Sequence, residues 1–321
     1  LGVSELRKDP IAGTWVIVAP ERAARPLDFK RPPSRPESRE SCPFCAGRES
    51  MTPPEIASVR EDGAWRIRVV PNRYPALRVE EEWRESGDGL FASMPGVGAH
   101  EVVIESPDHV LSLTDLPPER VAQAVGMYRA RLRDLKRDGR LVHGLVFRNV
   151  GERAGASLEH VHAQIIALPV VPERVHSEFE RCAGHLRASH RCRRCDLVAR
   201  ELKEGVRVVE ESSRFAVLQP WAAKSPFETH LVPKEHASHF ESIDDAAVGE
   251  VATLLRSSLR RIERALDSPA YNVLIHSAPL NGPSPEGWHW RIEIIPRLVG
   301  IAGFEWATGF FINTVAPETA A

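Results

Sequence analysis

Lysine is nearly missing from this 321-residue chain, with only 6 among 42 basic residues. Arginine is therefore the default cation, and an isolated arginine says little about binding until a motif surrounds it. Net charge is missing as well. Lys+Arg 42 against Asp+Glu 44 leaves −2, with a pI of about 6.7, so no overall electrostatic drive toward nucleic acid or an anionic membrane exists. Any anion site must be local. No apolar run approaches the ~20 residues that span a bilayer. The opening LGVSELRKDP lacks the basic-then-apolar layout of a secretion signal. The expectation is a cytoplasmic protein with neither membrane nor nucleic acid as partner. What is present is an ordinary globular composition, 42% hydrophobic and 27% charged with mean hydropathy −0.26. That suits about two domains of roughly 150 residues each.

Cysteines are few, and their spacing carries information. Of the five, four form two C-x-x-C pairs, Cys42/Cys45 and Cys192/Cys195, and Cys182 stands alone. In a cytoplasmic chain such pairs are metal ligands or redox dithiols more often than structural disulfides. A redox pair belongs at a helix N-terminus after a strand. Cys42 instead follows RPPSRPESRES, a loop rich in Pro, Ser and Arg that suits a zinc knuckle.

After each C-x-x-C the same succession of signals appears. In the first half WRIRVVPNRYPAL (65–77) reads as strand, turn and extended segment, followed by the strand 100–105 and Ser106-Pro-Asp-His109. In the second, VRVVEESSRFAVLQ (206–219) reads as a hairpin, followed by the strand 229–232 and Pro233-Lys-Glu-His236. A helix with one apolar side comes next in both halves. Val121, Val125, Leu132 and Leu135 mark the first; Val248, Val251, Leu255, Leu259, Ile262 and Leu266 mark the second. Each half closes with two strands separated by a Gly-containing loop, the last being HVHAQIIALP (160–169) or HWRIEIIPRL (289–298). Alternation along a strand then matches His160 with His289, His162 with Arg291 and Gln164 with Glu293. The fold class expected is α+β, in two tandem halves.

This alignment gives each half two cysteines and two histidines: Cys42, Cys45, His109 and His160, then Cys192, Cys195, His236 and His289. His239 competes with His236 for its place, and the plainer alternative makes His109 and His236 ordinary surface histidines at strand ends. Four such donors without a carboxylate make a closed, structural zinc site. His162 is left over. It is either a packed polar residue or a nucleophile, since imidazole attacks phosphorus to give a phosphoramidate reactive enough to turn over. The loop before it, 149–157, supplies Gly151 and Gly155 for close backbone approach, with Asn149 and Ser157 as polar contacts to a phosphate.

With these pieces together the sequence resembles the galactose-1-phosphate uridylyltransferase family, a branch of the histidine triad superfamily with two fused copies of that fold. The resemblance runs over nearly the whole chain. It is carried by Ala19-Pro-Glu-Arg-Ala-Ala-Arg-Pro26, Cys42-Pro-Phe-Cys45, Pro71-Asn-Arg-Tyr-Pro-Ala-Leu77, Ser106-Pro-Asp-His109, Asn149 through Gln164 and Ala302-Gly-Phe-Glu-Trp306. It implies histidine-triad-like halves at 1–171 and 172–321, each an antiparallel sheet with a packed helix, joined in one sheet-rich core. The second half holds the second zinc site and the hexose-recognition segment.

The resemblance also implies roles. His162 falls on the nucleophile that takes a nucleoside monophosphoryl group from UDP-glucose and passes it to galactose 1-phosphate. Gln164 falls on the glutamine that hydrogen-bonds that group. Arg22 and Arg25 fall on arginines that meet nucleotide and phosphates; Asn72, Asn149 and Ser157 on polar contacts around the diphosphate; Phe304 and Glu305 on the hexose-recognition segment, supplied across a homodimer interface. Phe304 replaces a tyrosine there. Arg291 and Glu293 stand where some members carry the H-x-H of an iron-type site, so one reactive histidine per chain is expected. Gln164 cannot act as acid or base near neutral pH, which favours transfer to a bound acceptor over hydrolysis. The leading expectation is uridylyl transfer through nucleotidyl-His162. The alternatives are ADP-glucose phosphorylase-like adenylyl transfer to phosphate, a histidine triad hydrolase, and a two-zinc nucleic-acid module that would need a basic face.

Overall fold

The computed structural model describes residues 4–24, 41–82, 84, 86–87, 90–282 and 287–321. Its strands are β1 (Glu5–Lys8), β2 (Trp15–Val18), β3 (Ala57–Glu61), β4 (Ala64–Pro71), β5 (Ala99–Ile104), β6 (His143–Val150), β7 (His162–Leu168), β8 (Val208–Glu211), β9 (Phe215–Leu218), β10 (Thr229–Pro233), β11 (Tyr271–His276), β12 (Arg291–Pro296) and β13 (Phe311–Asn313). The α-helices are α1 (Pro118–Leu135), α2 (Glu173–Ser189), α3 (Arg193–Glu204), α4 (Asp245–Ala265), α5 (Gly303–Thr308) and α6 (Pro317–Ala320).

Ten strands form one continuous antiparallel sheet in the order β3-β4-β5-β7-β6-β11-β12-β10-β9-β8. Read outward from the central β6–β11 pair, the two halves show the same strand order, each with a long helix inserted before its last two strands. Mixed α+β architecture follows. α1 starts with Pro118 in its first turn, where the missing N–H costs nothing. α4 is capped by Asp244, which accepts from Ala247 N at 2.6 Å.

Both helices lay their apolar stripes on the same face of the sheet. Val121, Val125, Leu132, Val251, Leu255 and Leu259 join Val103, Ala163, Ile165, Val273, Ile275, Ile292 and Ile294 in one core. Directly paired residues of antiparallel strands share a face. The pairs Ile104↔His162 and Val102↔Gln164, Phe147↔Gln164, Asn272↔Asn149, His276↔Arg291 and His230↔Glu293 therefore put His162, Gln164, Asn149, Asn272, Arg291 and Glu293 on the other face. The sheet separates packing from chemistry.

Three features were not foreseen. α2 and α3 bury charged residues beside small or apolar ones: α2 buries Glu178, Cys182 and Ala183, and α3 buries Arg194, Val198 and Glu201. A second, three-stranded sheet, β1-β2-β13, joins the N-terminal and C-terminal segments. The last strands also begin at His162 and Arg291, two residues later than alternation predicts; at the start of β7 the His160 carbonyl accepts from the His162 imidazole at 2.7 Å. No described helix is long and apolar enough to cross a membrane.

Candidate active site and metal centres

The first knuckle closes around β7. Cys42, Cys45, His109 and His160 bring one donor atom each within 4.8 Å of one another. Cys42 Sγ lies 3.5 Å and Cys45 Sγ 3.6 Å from His160 Nδ1, and Cys45 Sγ lies 3.5 Å from His109 Nδ1. A tetrahedral zinc with ordinary Zn–S and Zn–N bonds sets an S···N edge of about 3.5 Å, so the donor set fits that ion. His160 Nε2 is 2.9 Å from the Ser106 carbonyl oxygen. A carbonyl only accepts, so the ring proton is on Nε2 and the Nδ1 lone pair faces the thiols. The Ala46 N–H donates to Pro107 O at 2.9 Å and ties the knuckle to the loop bearing His109.

The second set is less complete. Cys192, Cys195 and His236 come within 4.8 Å of one another, with Cys195 Sγ 3.8 Å from His236 Nδ1; it is His236, not His239, that reaches the thiols. His289 stands beside this trio, its ring centroid 5.7 Å from that of His236. Its Nδ1 is 3.2 Å from Trp290 O, while its buried Nε2 has no hydrogen-bond partner among the described residues. Neither ring nitrogen of His289 joins the other three within 4.8 Å, so this set brings together three donors among the described residues. Cys192 stands at the N-cap of α3, and its hydrogen bond with Cys195 lowers the one thiol while raising the other.

His162 sits over the first knuckle, where Phe44, between Cys42 and Cys45, packs against it at 5.3 Å and against His160 at 5.9 Å between ring centroids. Because the His160 carbonyl can only accept, His162 Nδ1 carries the proton and Nε2 carries the lone pair. Burial, the main cause, holds the imidazole down to about 4, so at neutral pH the ring is uncharged and Nε2 is free to act as a nucleophile. Gln164 is one strand step along on the same face. Its Oε1 lies 2.8 Å from His100 Nε2 and 3.5 Å from Asn72 Nδ2.

The other expected residues are distributed as follows. Asn149 Oδ1 accepts from Asn272 Nδ2 at 2.8 Å, and Ser157 is exposed at the end of the loop. Asn72 has its side chain committed to the protein, since its Oδ1 accepts from the Tyr74 N–H at 2.9 Å. Arg22 is exposed in the short turn Pro20–Ala24 after β2; Arg25 lies outside the described residues. Phe304 is exposed on α5, and Glu305 lies in the same helix, where it accepts from Ala302 N at 3.0 Å. Glu305 also lines a cavity of about 260 Å³ with Arg174, Lys224, Asn272, Glu293 and Arg297. Trp290 is fully buried against Phe215 and Phe240.

In the second half Arg291 occupies the position matching His162. It donates to Glu293 Oε1 at 2.6 Å and to Glu178 Oε2 of α2 at 3.0 Å. Glu228, His230 and Glu293 gather there within 4.8 Å of one another, and the cation already bonded to Glu293 is the guanidinium of Arg291. His100 is the site residue that sequence reasoning missed; its sole signal was a polar residue on the open face of β5, one strand from Gln164.

Comparison with known proteins agrees with this geometry. The galactose-1-phosphate uridyl transferase N-terminal domain family matches residues 2–172, and the C-terminal domain family matches residues 179–302. The chain belongs to the galactose-1-phosphate uridyl transferase family and is a nucleotidyltransferase. It is 39% identical to an ADP-glucose phosphorylase of Arabidopsis thaliana, over 99% of this chain and 91% of that one. It is 30% identical to a galactose-1-phosphate uridylyltransferase of Thermotoga maritima, over 99% and 96%. The crystal structure of an Arabidopsis thaliana ADP-glucose phosphorylase with bound ADP-glucose superposes with a TM-score of 0.86 at 37% identity, covering 100% of this chain and 97% of that one.

Proposed function

We propose that this protein transfers a nucleoside monophosphoryl group between a nucleotide sugar and a phosphate-bearing acceptor through a covalent nucleotidyl-His162 intermediate. The observation that carries the reading is the His162 Nδ1–H held by the His160 carbonyl at 2.7 Å, with Nε2 unprotonated beside Gln164. In the first step the Nε2 lone pair forms an N–P bond to the α-phosphorus, and the P–O bond to the sugar phosphate breaks. Sugar 1-phosphate departs with the electron pair. The Nδ1 proton stays on the ring, hydrogen-bonded to the His160 carbonyl, whose dipole offsets the charge gained by the ring. In the second step an acceptor oxygen displaces His162 and restores the neutral imidazole. The acceptor is already an anion, so no strong base is needed, and positioning with fixed donors supplies the catalysis. Gln164 donates to the phosphoryl oxygens. Arg22, Arg25, Asn149 and Ser157 contact phosphates and nucleotide, Asn72 acts through Gln164, and Phe304 with Glu305 reads the sugar.

Two donors fit this chemistry. The 39% identity to an ADP-glucose phosphorylase over nearly the full length favours adenylyl transfer from ADP-glucose to phosphate. The 30% identity to a galactose-1-phosphate uridylyltransferase supports uridylyl transfer from UDP-glucose to galactose 1-phosphate as the second reading. Hydrolysis is disfavoured because Gln164 supplies no acid or base.

In the same reading the chain is two histidine-triad-like halves, 1–171 and 172–321. Each is clamped by a structural zinc, on Cys42, Cys45, His109 and His160 and on Cys192, Cys195, His236 and His289. The protein works as a cytoplasmic homodimer on small-molecule substrates. The test is to mix the protein with base-labelled ADP-glucose or UDP-glucose and then denature it. Acid-labile, alkali-stable label on His162 is expected, returned to phosphate or to a sugar 1-phosphate when that acceptor is added first. Label that persists in His162→Gly protein sinks the proposal.

A further inference from the structure

We propose that His100 is a positioning residue for this transfer: it fixes which way the Gln164 amide faces, so that the NH2 end is presented to the reacting phosphoryl group. The inference rests on the reading of His162 and Gln164 given above and extends it to a residue in a different strand.

A glutamine amide is two-sided, and its terminal torsion has no strong preference of its own. Against a phosphoryl oxygen the choice matters, because the NH2 end donates while the oxygen end repels. Two main-chain N–H groups, which can only donate, set the choice. Ala76 N–H donates to His100 Nδ1 at 3.2 Å, so Nδ1 accepts and the ring proton is on Nε2. Tyr74 N–H donates to Asn72 Oδ1 at 2.9 Å, so the free end of Asn72 is its NH2. His100 Nε2 and Asn72 Nδ2 lie 3.1 Å apart and both face Gln164 Oε1, at 2.8 Å and 3.5 Å. Two donors converging on one oxygen hold it toward β4 and β5 and turn the amide nitrogen outward, onto the open face that carries His162.

The order of command is therefore loop 72–76, then His100, then Gln164, then phosphoryl group. His100 is the dominant member because its contact to Gln164 is the shorter and its ring is rigid, while the Asn72 contact is at the limit of a hydrogen bond. The main chain reinforces the arrangement through Asn72 N–H to His100 O at 2.8 Å.

The test measures single-turnover release of sugar 1-phosphate from ADP-glucose, with UDP-glucose in parallel, for wild type, His100→Leu, His100→Gln, Gln164→Ala and the double variant His100→Leu/Gln164→Ala. His100→Leu is expected to slow the burst by about 10- to 100-fold with donor KM changed by less than about twofold. His100→Gln, whose NH2 reaches the same place as Nε2–H, is expected to recover most of the rate. In the Gln164→Ala background His100→Leu is expected to add nothing, because the group it orients is gone. A full-rate burst from His100→Leu overturns the inference. So do additive losses in the double variant, or a His100→Gln protein as impaired as His100→Leu, the second holding even if His100→Leu fails to fold. Wild-type protein that gives no burst with either donor sinks the transfer reading itself. A wild-type burst with an indifferent His100 sinks only the positioning role.

Discussion

Replacing Arg291 by Met tests why the second half has no reactive histidine and what holds its open face together. Arg291, Glu178 and Glu293 have side chains only 4% exposed. Burial by itself pushes both carboxyls up; Arg291 outweighs it and holds Glu178 below the ordinary carboxylate range and Glu293 well below it. Removing the guanidinium leaves two uncompensated buried carboxylates, a loss of about 3–5 kcal/mol in comparable sites. His276, 3.2 Å from Glu293, relieves part of that, so about 3 kcal/mol is expected at pH 7. The sign with pH follows from the same shifts. In wild type the depressed carboxyls stabilise above their unfolded values and that contribution is lost on acidification. In Arg291→Met they are raised and penalise the fold above their unfolded values, so the deficit shrinks as pH falls from 7 toward 5. Urea unfolding of both proteins at the two pH values measures it. Adding Glu178→Gln should return at least about 1 kcal/mol. A deficit under about 1 kcal/mol at pH 7, or one that widens on acidification, refutes the reasoning.

Elemental analysis of purified protein should find two zinc ions per chain, one lost in Cys42→Ser and the other in Cys195→Ser. Only the first variant should also depress nucleotidylation of His162, whose orienting carbonyl belongs to His160. His143 is buried, and that burial, with His276 nearby, holds it down to about 4, whereas an unfolded histidine titrates near ~6.5. The unfolded chain therefore takes up the proton first, and stability falls as pH drops from about 6.5 toward 4, by about 2 kcal/mol at pH 5. His143→Leu should lose less stability between pH 7 and pH 5 than wild type in parallel thermal scans, and equal acid slopes would count against this. Gly151 has φ +78°, and a Cβ there would meet Ala270 Cβ at 2.9 Å; Gly155, φ +86°, has nothing nearer than Asn149 Nδ2 at 3.7 Å. Gly151→Ala should lower Tm more than Gly155→Ala, by about 1–2 kcal/mol of stability, and slow the burst by shifting the loop before His162. The reverse order would refute the steric argument.

Much of the framework was legible because its signals are local and periodic. α1 and α4 bury regular apolar stripes, and β5, β6, β7, β11 and β12 show alternation or continuous apolar runs, so their order could be read directly. α2 and α3 were harder to read, since Glu178 in one and Arg194 and Glu201 in the other interrupt the buried face beside Cys182, Ala183 and Val198, and periodicity scores a charged residue as solvent. β1 and β2 are a short local hairpin, but β13 joins β2 in parallel across nearly the whole length of the chain, a pairing with no local trace. The roles of His100 and Asn72 were hidden for a related reason. The Ala76 N–H has to meet the side chain of His100, about two dozen residues away, and Asn72, though held locally by the Tyr74 N–H, gains its role only where β7 brings Gln164 to it.

The amino-acid order by itself determined the repeat, the C-x-x-C pairs and the H-x-H-x-Q strand, because spacing along a helix, a strand or a knuckle is a property of neighbouring residues. Tertiary structure decided which face of the ten-stranded sheet carries the polar residues and brought His100 and Asn72 against Gln164. It also turned the Gln164 amide outward and made Arg291 the buried cation of the second half. Those outcomes rest on hydrogen-bond directions and burial, and both exist only once distant segments are packed together.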